Sequence, residues 1–339
     1  MSRYHDRGVA PILHAAAIWA ERCLVLDNSI FGDESLWTTE HLAQLDRYFV
    51  RNLDEGDRGF YEKLDDQLAP ATPAACKLMA ELLWVLFLFP SNSGPQSKRD
   101  GIERVWRLSG EVLAADHPML SDAVLAGIGS GGMAFQTLRW REIGFAIALF
   151  TALKTLNVDE RAALLRDYAR LADWLAAQPM EGNRQFRHML RYLLYPDVVE
   201  RMSSNRDRHT VLDAFGVASA RETRDWSDRR MDEAMLALRQ RLEQEHGTAD
   251  LDFYLPPLVE KWRPELGDEE LPPPVSPVSK VREPETPWPA GPTPALNQIL
   301  YGPPGTGKTF HAINKALDVL DPAYLRAHAT DRASLKARF

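Results

Sequence analysis

Cysteine is almost absent from this sequence: Cys23 and Cys76 are the two cysteines among its 339 residues. Two cysteines cannot build a disulfide framework or a multi-cysteine zinc site, and such sparse use is typical of a reducing compartment. The histidines are scattered without the spacing of metal ligands, and no Ser/His/Asp or Cys/His arrangement stands out. We therefore expect no structural metal, and the sequence assigns no catalytic residue.

A long hydrophobic run is also missing. The most apolar stretch, residues 78–89, contains Glu81 and ends before Pro90, well short of the roughly 20 residues that a membrane span needs. Residues 1–7 mix both charges and no small-residue cleavage pattern follows, which argues against a signal peptide. We expect a cytoplasmic protein without a membrane partner, in which residues 78–89 form a buried helix.

Charge of one sign does not dominate either. The 48 acidic and 40 basic residues give a formal net charge of -8 at pH 7, which argues against a general electrostatic attraction to nucleic acid. A local basic surface is compatible with this balance, because binding depends on where the charges lie.

Long alternating runs of Val, Ile and Thr are missing from the first 265 residues, which argues against a large sheet there. Apolar residues recur at helical spacing instead, and two capping signals, Thr72-Pro73 and residues 157–160, mark helix starts. The predicted fold class is mainly α, with a helical N-terminal domain over residues 1–265. The predicted helices span residues 11–26, 39–53, 73–89, 101–115, 140–156, 159–177, 185–194, 208–215 and 227–245.

A glycine-rich stretch, residues 127–133, interrupts this helical pattern. Such a stretch can cradle phosphate, but here no lysine follows it and no β-rich segment precedes it. The sequence favours a flexible connection between helices over a ligand-binding loop.

A proline-rich segment marks the domain boundary. Nine of the 23 residues from Pro272 to Pro294 are proline, and proline at this density excludes helix and strand and holds the chain extended. We predict a linker over residues 266–294, followed over residues 295–339 by the first β-strand, P-loop and α-helix of an α/β nucleotide-binding domain.

Residues 297–317 carry a strand, loop and helix pattern in that order. Residues 297–301 are a short apolar run typical of a buried strand, and helical spacing begins at Phe310. Between them lies the P-loop pattern G-x-x-x-x-G-K-[ST], in the structural context that supports it. Its positions are Gly302, Pro303, Pro304, Gly305, Thr306, Gly307, Lys308 and Thr309.

Each residue type in this loop has a physical role in binding phosphate. The glycines let the backbone curl and turn its N–H groups toward phosphate oxygens. Lys308 supplies a cation to the β- and γ-phosphates, the hydroxyl of Thr309 ligates Mg²⁺, and the following helix adds the partial positive charge of its N-terminus. We predict that residues 302–309 bind a nucleoside triphosphate with Mg²⁺.

Hydrolysis needs a second acidic site, usually where an apolar strand ends in two acids. Residues 310–339 contain no such run. Residues 23–28, Cys-Leu-Val-Leu-Asp-Asn, are similar, but they follow a helical pattern and lack the second acid, so we interpret them as the C-terminus of a helix. We expect the chain to be a fragment that binds nucleotide but does not hydrolyse it efficiently by itself.

The string from Asn297 to Phe310, followed by residues 313–317, resembles the opening of the McrB-like AAA+ NTPases of the dynein-related branch. Residues 186–197 and 252–262 also resemble segments that precede the motor in some of these proteins. The resemblance implies an ATP- or GTP-dependent hydrolase with Mg²⁺ that assembles as a hexameric ring and serves a nuclease subunit of McrC type in restriction or phage defence. Only Gly302 to Thr309 match positions with roles in that family.

The strongest candidate for a nucleic-acid surface is the basic segment from Arg184 to His209. Arg184, Arg187 and Arg191 recur at helical spacing and would share one face, where they could contact a DNA or RNA backbone. The alternative is a solvated face with local salt bridges.

Two functions follow from these features. The first is the N-terminal region of a McrB-like NTPase whose helical domain recognises a target. The second is a helical adaptor or nucleic-acid-binding module whose P-loop senses nucleotide without hydrolysing it.

Overall fold

The computed structural model describes residues 8–54, 58–131, 135, 138–179, 182, 184–263 and 324. The chain divides into two units, Met1–Ser276 and Pro277–Phe339, and the fold described below belongs to the first. The predicted proline-rich linker and the predicted strand, P-loop and helix lie outside the described residues. The predicted domain boundaries stay predictions.

The fold is mainly helical, with 64% helix and 2% strand, as the sequence predicts. The α-helices of the described residues that have defined bounds are named here in chain order. They are α1 (Ala10–Trp19), α2 (Thr39–Leu45), α3 (Phe60–Leu68), α4 (Pro73–Phe87), α5 (Pro95–Trp106), α6 (Asp122–Leu125), α7 (Arg139–Lys154), α8 (Val158–Leu165), α9 (Tyr168–Ala177), α10 (Gln185–Leu194), α11 (Asn205–Ala214), α12 (Ala220–Thr223), α13 (Asp228–His246) and α14 (Leu258–Trp262).

Both capping signals mark helix starts. The hydroxyl of Thr72 accepts a hydrogen bond from the backbone N–H of Ala75 at the start of α4. Asn157 and Glu160 form a reciprocal capping box at the start of α8. These bonds satisfy N–H groups that lack partners within the helix, which explains why local sequence locates these two starts.

Other helix bounds differ from the predicted ones. The predicted helix over residues 159–177 is two helices, because the carboxylate of Asp167 accepts a hydrogen bond from the N–H of Arg170 and so starts α9 afresh. The predicted helix over residues 101–115 begins earlier, at Pro95, and a 3₁₀ turn ends at Gly110 in the left-handed conformation. Helix α3 was not predicted.

Two helices continue into π-helical turns, Ala20–Val25 after α1 and Asp46–Val50 after α2. The first of these contains residues 23–25, the beginning of the stretch that resembles an acidic strand end. The π-helical turn ends at Val25, so the interpretation of residues 23–28 as a helix C-terminus is confirmed.

The buried apolar side chains form two separate clusters. The first core gathers residues from Val9 to Val199, and the second core gathers residues from Met202 to Trp262. Helix α4 lies at the centre of the first core with 13 buried residues, as expected for the most apolar stretch of the sequence. The second core is built mainly from α11, α13 and α14.

Most of the aromatic residues that recur at helical spacing belong to the core. Trp84, Phe87, Phe89, Phe145 and Phe150 are buried, whereas Trp140 at the same spacing is 36% exposed. Phe253 and Trp262 are buried in the second core, where the indole N–H of Trp262 donates to the carbonyl of Phe253 at 2.6 Å. These two residues therefore hold the end of the described helical region against the second core.

No helix of the described residues is both long enough and apolar enough to cross a membrane.

Candidate functional site

The predicted nucleotide site, Gly302 to Thr309, lies outside the described residues. The predicted roles of Lys308 toward phosphate and of Thr309 toward Mg²⁺ therefore stay predictions. The described part of the chain does place the second set of predicted site residues, Arg184, Arg187 and Arg191.

The predicted basic face on α10 is turned toward the protein interior. Arg184 is half-buried just before the helix, the side chain of Arg187 is 17% exposed, and Arg191 is 0% exposed. The alternative of a solvated face therefore does not hold for Arg191. Helical spacing shows which residues share a face, but it does not show what that face packs against.

Arg187 and Arg191 belong to a network of charged and polar groups, here called the ionic network. Helices α9 and α10, which pack in the first core, carry Tyr168 and most of the basic members of the network. Helices α11 and α13, which pack in the second core, carry Arg208 and two acids. Its members are Tyr168, Arg187, His188, Arg191, Arg208, Asp228 and Asp232.

The two aspartates of α13 are the centre of the ionic network. Asp232 accepts from Nε of Arg191 at 2.9 Å, from the phenol of Tyr168 at 2.5 Å, and from Arg208. Asp228 accepts from Arg187 and from Arg191. Burial by itself would raise the pKa of Asp228, but the guanidinium groups of Arg191, Arg187 and Arg208 hold that pKa below its usual range.

His188 completes the network as a neutral acceptor. Its Nδ1 lies 3.0 Å from the guanidinium of Arg191 and 3.1 Å from that of Arg208. Burial and these two positive charges lower the pKa of His188 well below its ordinary value. The imidazole is therefore neutral, with the proton on Nε2, because guanidinium groups can only donate.

The acids that pair with the predicted basic face could have been sought in the sequence. Asp228 and Asp232 are four residues apart, which matches the four-residue spacing of Arg187 and Arg191. Asp232 also lies between Met231 and Met235 on the buried face of α13. An acid within an apolar stripe is a signal for a buried partner.

A second group of buried charges surrounds the end of the first π-helical turn. The ammonium of Lys154 donates to the carbonyls of Cys23 at 2.5 Å and Leu24 at 2.8 Å and to the carboxylate of Asp27 at 2.6 Å. Arg161 donates to the carbonyl of Val25 and to Asp27, both at 2.8 Å. Burial lowers the pKa of Lys154 to about 8, against the opposing effect of Asp27. These cations cap the carbonyls that the helix end leaves unpaired.

Glu81 is a buried acid in the middle of α4. Its carboxylate accepts from the indole N–H of Trp37 at 2.5 Å, from the backbone N–H of Ile30 at 3.1 Å, and from the hydroxyl of Ser29. Burial raises the pKa of Glu81 to about 7, although these donors oppose the shift. Through these hydrogen bonds, Glu81 holds the loop that contains Ser29 against α4.

In the described part of the glycine-rich segment, Gly127 to Gly129 cross closely over the backbone of Phe89 to Ser91. The N–H groups of Ile128 and Gly129 both donate to the carbonyl of Phe89, at 2.7 and 3.0 Å. A Cβ at Gly127 would lie 2.3 Å from the carbonyl oxygen of Pro90. The N–H groups of Ile128 and Gly129 are therefore engaged by the protein itself, which leaves them unavailable to a phosphate.

Lys98 lies beneath this crossing. Its ammonium donates to the carbonyls of Pro90 and Leu125, both at 2.6 Å. Burial lowers the pKa of Lys98 to about 7, so the side chain is largely neutral above that pH. It joins the two crossing segments.

Comparisons with known proteins identify no relative: no family model, no curated protein and no solved structure matches the chain. Within residues 8–263 as far as the structure describes them, no group of three His, Cys, Asp or Glu side chains is placed to hold a metal ion.

Proposed function

We propose that this chain binds a nucleoside triphosphate and Mg²⁺ through Gly302 to Thr309, as the N-terminal region of a McrB-like AAA+ NTPase. The sequence from Asn297 to Phe310 carries the proposal, because it combines an apolar run, a complete P-loop pattern and the start of a helical pattern. A glycine turn that merely joined a strand to a helix would not need Lys308 and Thr309 directly after its last glycine.

In this proposal the helical residues upstream of the proline-rich segment serve target recognition or interaction. The assembled protein would be a ring of identical subunits, hexameric by resemblance, that powers a nuclease subunit of McrC type in restriction or phage defence. ATP and GTP are both candidate nucleotides.

Contact between the helical region and DNA or RNA stays part of the proposal for Arg184 and Arg187 alone. Arg191 is removed from it, because a side chain that is 0% exposed cannot reach a phosphate backbone at the surface.

The nucleotide-binding proposal is tested by titrating the chain with fluorescent ATP and GTP analogues in the presence of Mg²⁺. Lys308→Ala should weaken binding at least about tenfold, because a charge-assisted hydrogen bond to phosphate contributes about 1.5–3 kcal/mol. Lys315→Ala, seven residues further along, is the matched control and should leave binding unchanged. Equal affinity of the original chain and the Lys308→Ala variant would remove the central proposal.

Measuring phosphate release from the full-length protein, of which this chain is proposed to be the N-terminal region, separates the two functions, because this chain by itself is expected to bind nucleotide without efficient turnover in either case. Turnover that depends on Lys308 supports the motor. Binding without turnover favours the nucleotide-sensing adaptor.

A further inference from the structure

The two hydrophobic cores meet through charges. Among the described residues, the buried apolar side chains up to Val199 and those from Met202 onward form separate clusters. The ionic network lies between them: Tyr168, Arg187 and Arg191 belong to helices of the first core, and their carboxylate partners belong to α13 of the second core.

The chain passes between the two cores at residues 200–201, and both of these residues are held by ion pairs. Glu200 pairs with Arg239 of α13 at 2.6 Å, and Arg239 is 0% exposed. Arg201 pairs with Asp252 and also donates to the carbonyl of Ile128 in the glycine-rich segment, at 2.8 Å. Ser203 donates from the second-core side to the carbonyl of Ser130 at 3.0 Å. Polar contacts thus join the two sides both at the ionic network and at residues 200–203.

Charged and apolar junctions respond differently when they open. Separating apolar surfaces exposes them to water, at a cost that grows with their area. Separating buried charges returns them to water, and the hydration they regain offsets most of the lost attraction. A junction built from charges therefore opens at a lower free energy than an apolar core of similar size unfolds.

We propose that residues 202–263 form a lobe that separates from the first core at the ionic network while both cores stay folded. One passage of the chain, at residues 200–201, links the two cores within the described part of residues 8–263, so the lobe can move as a unit. The lobe directly precedes the proline-rich segment in the sequence. This inference does not depend on nucleotide binding.

Thiol labelling of the full chain tests the proposal. Cys23 and Cys76 are buried in the first core and serve as natural reporters of its unfolding. Val211→Cys places a reporter in the second core, and Ser203→Cys places one at the junction, where the residue is 6% exposed. Each thiol is labelled under native conditions, and the rates are read by peptide mass spectrometry.

The junction thiol should be labelled at least tenfold faster than the thiols of either core. A common rate for all four thiols would show that the helical region opens only as one cooperative unit, and this would overturn the proposal.

A matched pair of variants ties the opening to the ionic network. Tyr168→Phe removes the hydroxyl that donates across the junction to Asp232, whereas Tyr195→Phe removes a hydroxyl that donates to the carbonyl of Leu165 within the first core, at 2.8 Å. Tyr168→Phe should speed labelling of the junction thiol about tenfold and leave the core thiols unchanged. Tyr195→Phe should not speed labelling at the junction. Equal acceleration by both variants would refute a specific role of the network.

Discussion

Replacing Asp232 should lower the free energy of unfolding strongly, even where the new side chain has nearly the same shape. It is 0% exposed, and three donors from three helices converge on its carboxylate: Arg191, Arg208 and Tyr168. Asp232→Asn keeps the size of the side chain and removes its charge. The perturbation is therefore electrostatic.

The charge count of the ionic network sets the magnitude. Three guanidinium groups face two carboxylates, so the network already carries one excess positive charge. Asp232→Asn leaves three guanidinium groups against Asp228 alone, in a site that water does not reach. Removing one partner of a buried ion pair costs about 3–5 kcal/mol, and we expect Asp232→Asn to lower the free energy of unfolding by that amount.

Arg191→Met provides the comparison, because it removes a partner from the other side of the network. It leaves two guanidinium groups facing two carboxylates, and the methionine keeps apolar contact in place of a buried charge. Its cost is therefore limited to the lost hydrogen bonds and should be about 2 kcal/mol smaller than that of Asp232→Asn. The smaller chemical change should thus have the larger effect.

Urea unfolding followed by far-ultraviolet circular dichroism measures both variants, with linear extrapolation to water. A cost below about 1 kcal/mol for Asp232→Asn, or a larger cost for Arg191→Met, would show that charge balance does not govern this network.

Two further predictions concern groups outside the network. The first concerns Glu81, whose folded pKa of about 7 lies above the usual value near 4.5, so its contribution to stability is full below pH 4.5 and is lost as pH rises through 7. The free energy of unfolding of the original chain minus that of Glu81→Gln should therefore fall by about 3 kcal/mol over that range. A difference that does not change with pH in urea titrations would contradict this. The second compares Gly127→Ala with Gly216→Ala. Both glycines have positive φ, but only at Gly127 would a Cβ lie 2.3 Å from a backbone carbonyl oxygen, that of Pro90. Gly127→Ala should therefore lower the melting temperature more than Gly216→Ala, by a difference equivalent to about 1–3 kcal/mol. Equal melting temperatures for the two variants would show that the backbone crossing yields to a methyl group.

The sequence predicted the features that depend on near neighbours. Helix α10 has the predicted bounds, Gln185–Leu194, and Thr72 caps α4, because spacing and capping involve residues a few positions apart. Helix α3 escaped prediction because its nine residues include five charged or amide side chains, which weaken the apolar pattern. The break between α8 and α9 was not predicted, because the capping carboxylate of Asp167 lies inside an otherwise continuous helical pattern.

The P-loop at Gly302 to Thr309 is the other feature that the sequence by itself established as a pattern, since its chemistry belongs to eight consecutive positions. Its function stays a prediction, as do the resemblance to McrB-like NTPases and the proposed partners.

Tertiary structure alone decided the role of the basic segment. The spacing of Arg187 and Arg191 is a property of one helix, and it placed both correctly on one face. Whether that face meets water or carboxylates is a property of two helices, and Asp228 and Asp232 on α13 lie some 40 residues further along the chain. A surface cation and a buried ion pair therefore look alike in sequence, because the burial that distinguishes them arises only when distant segments pack together.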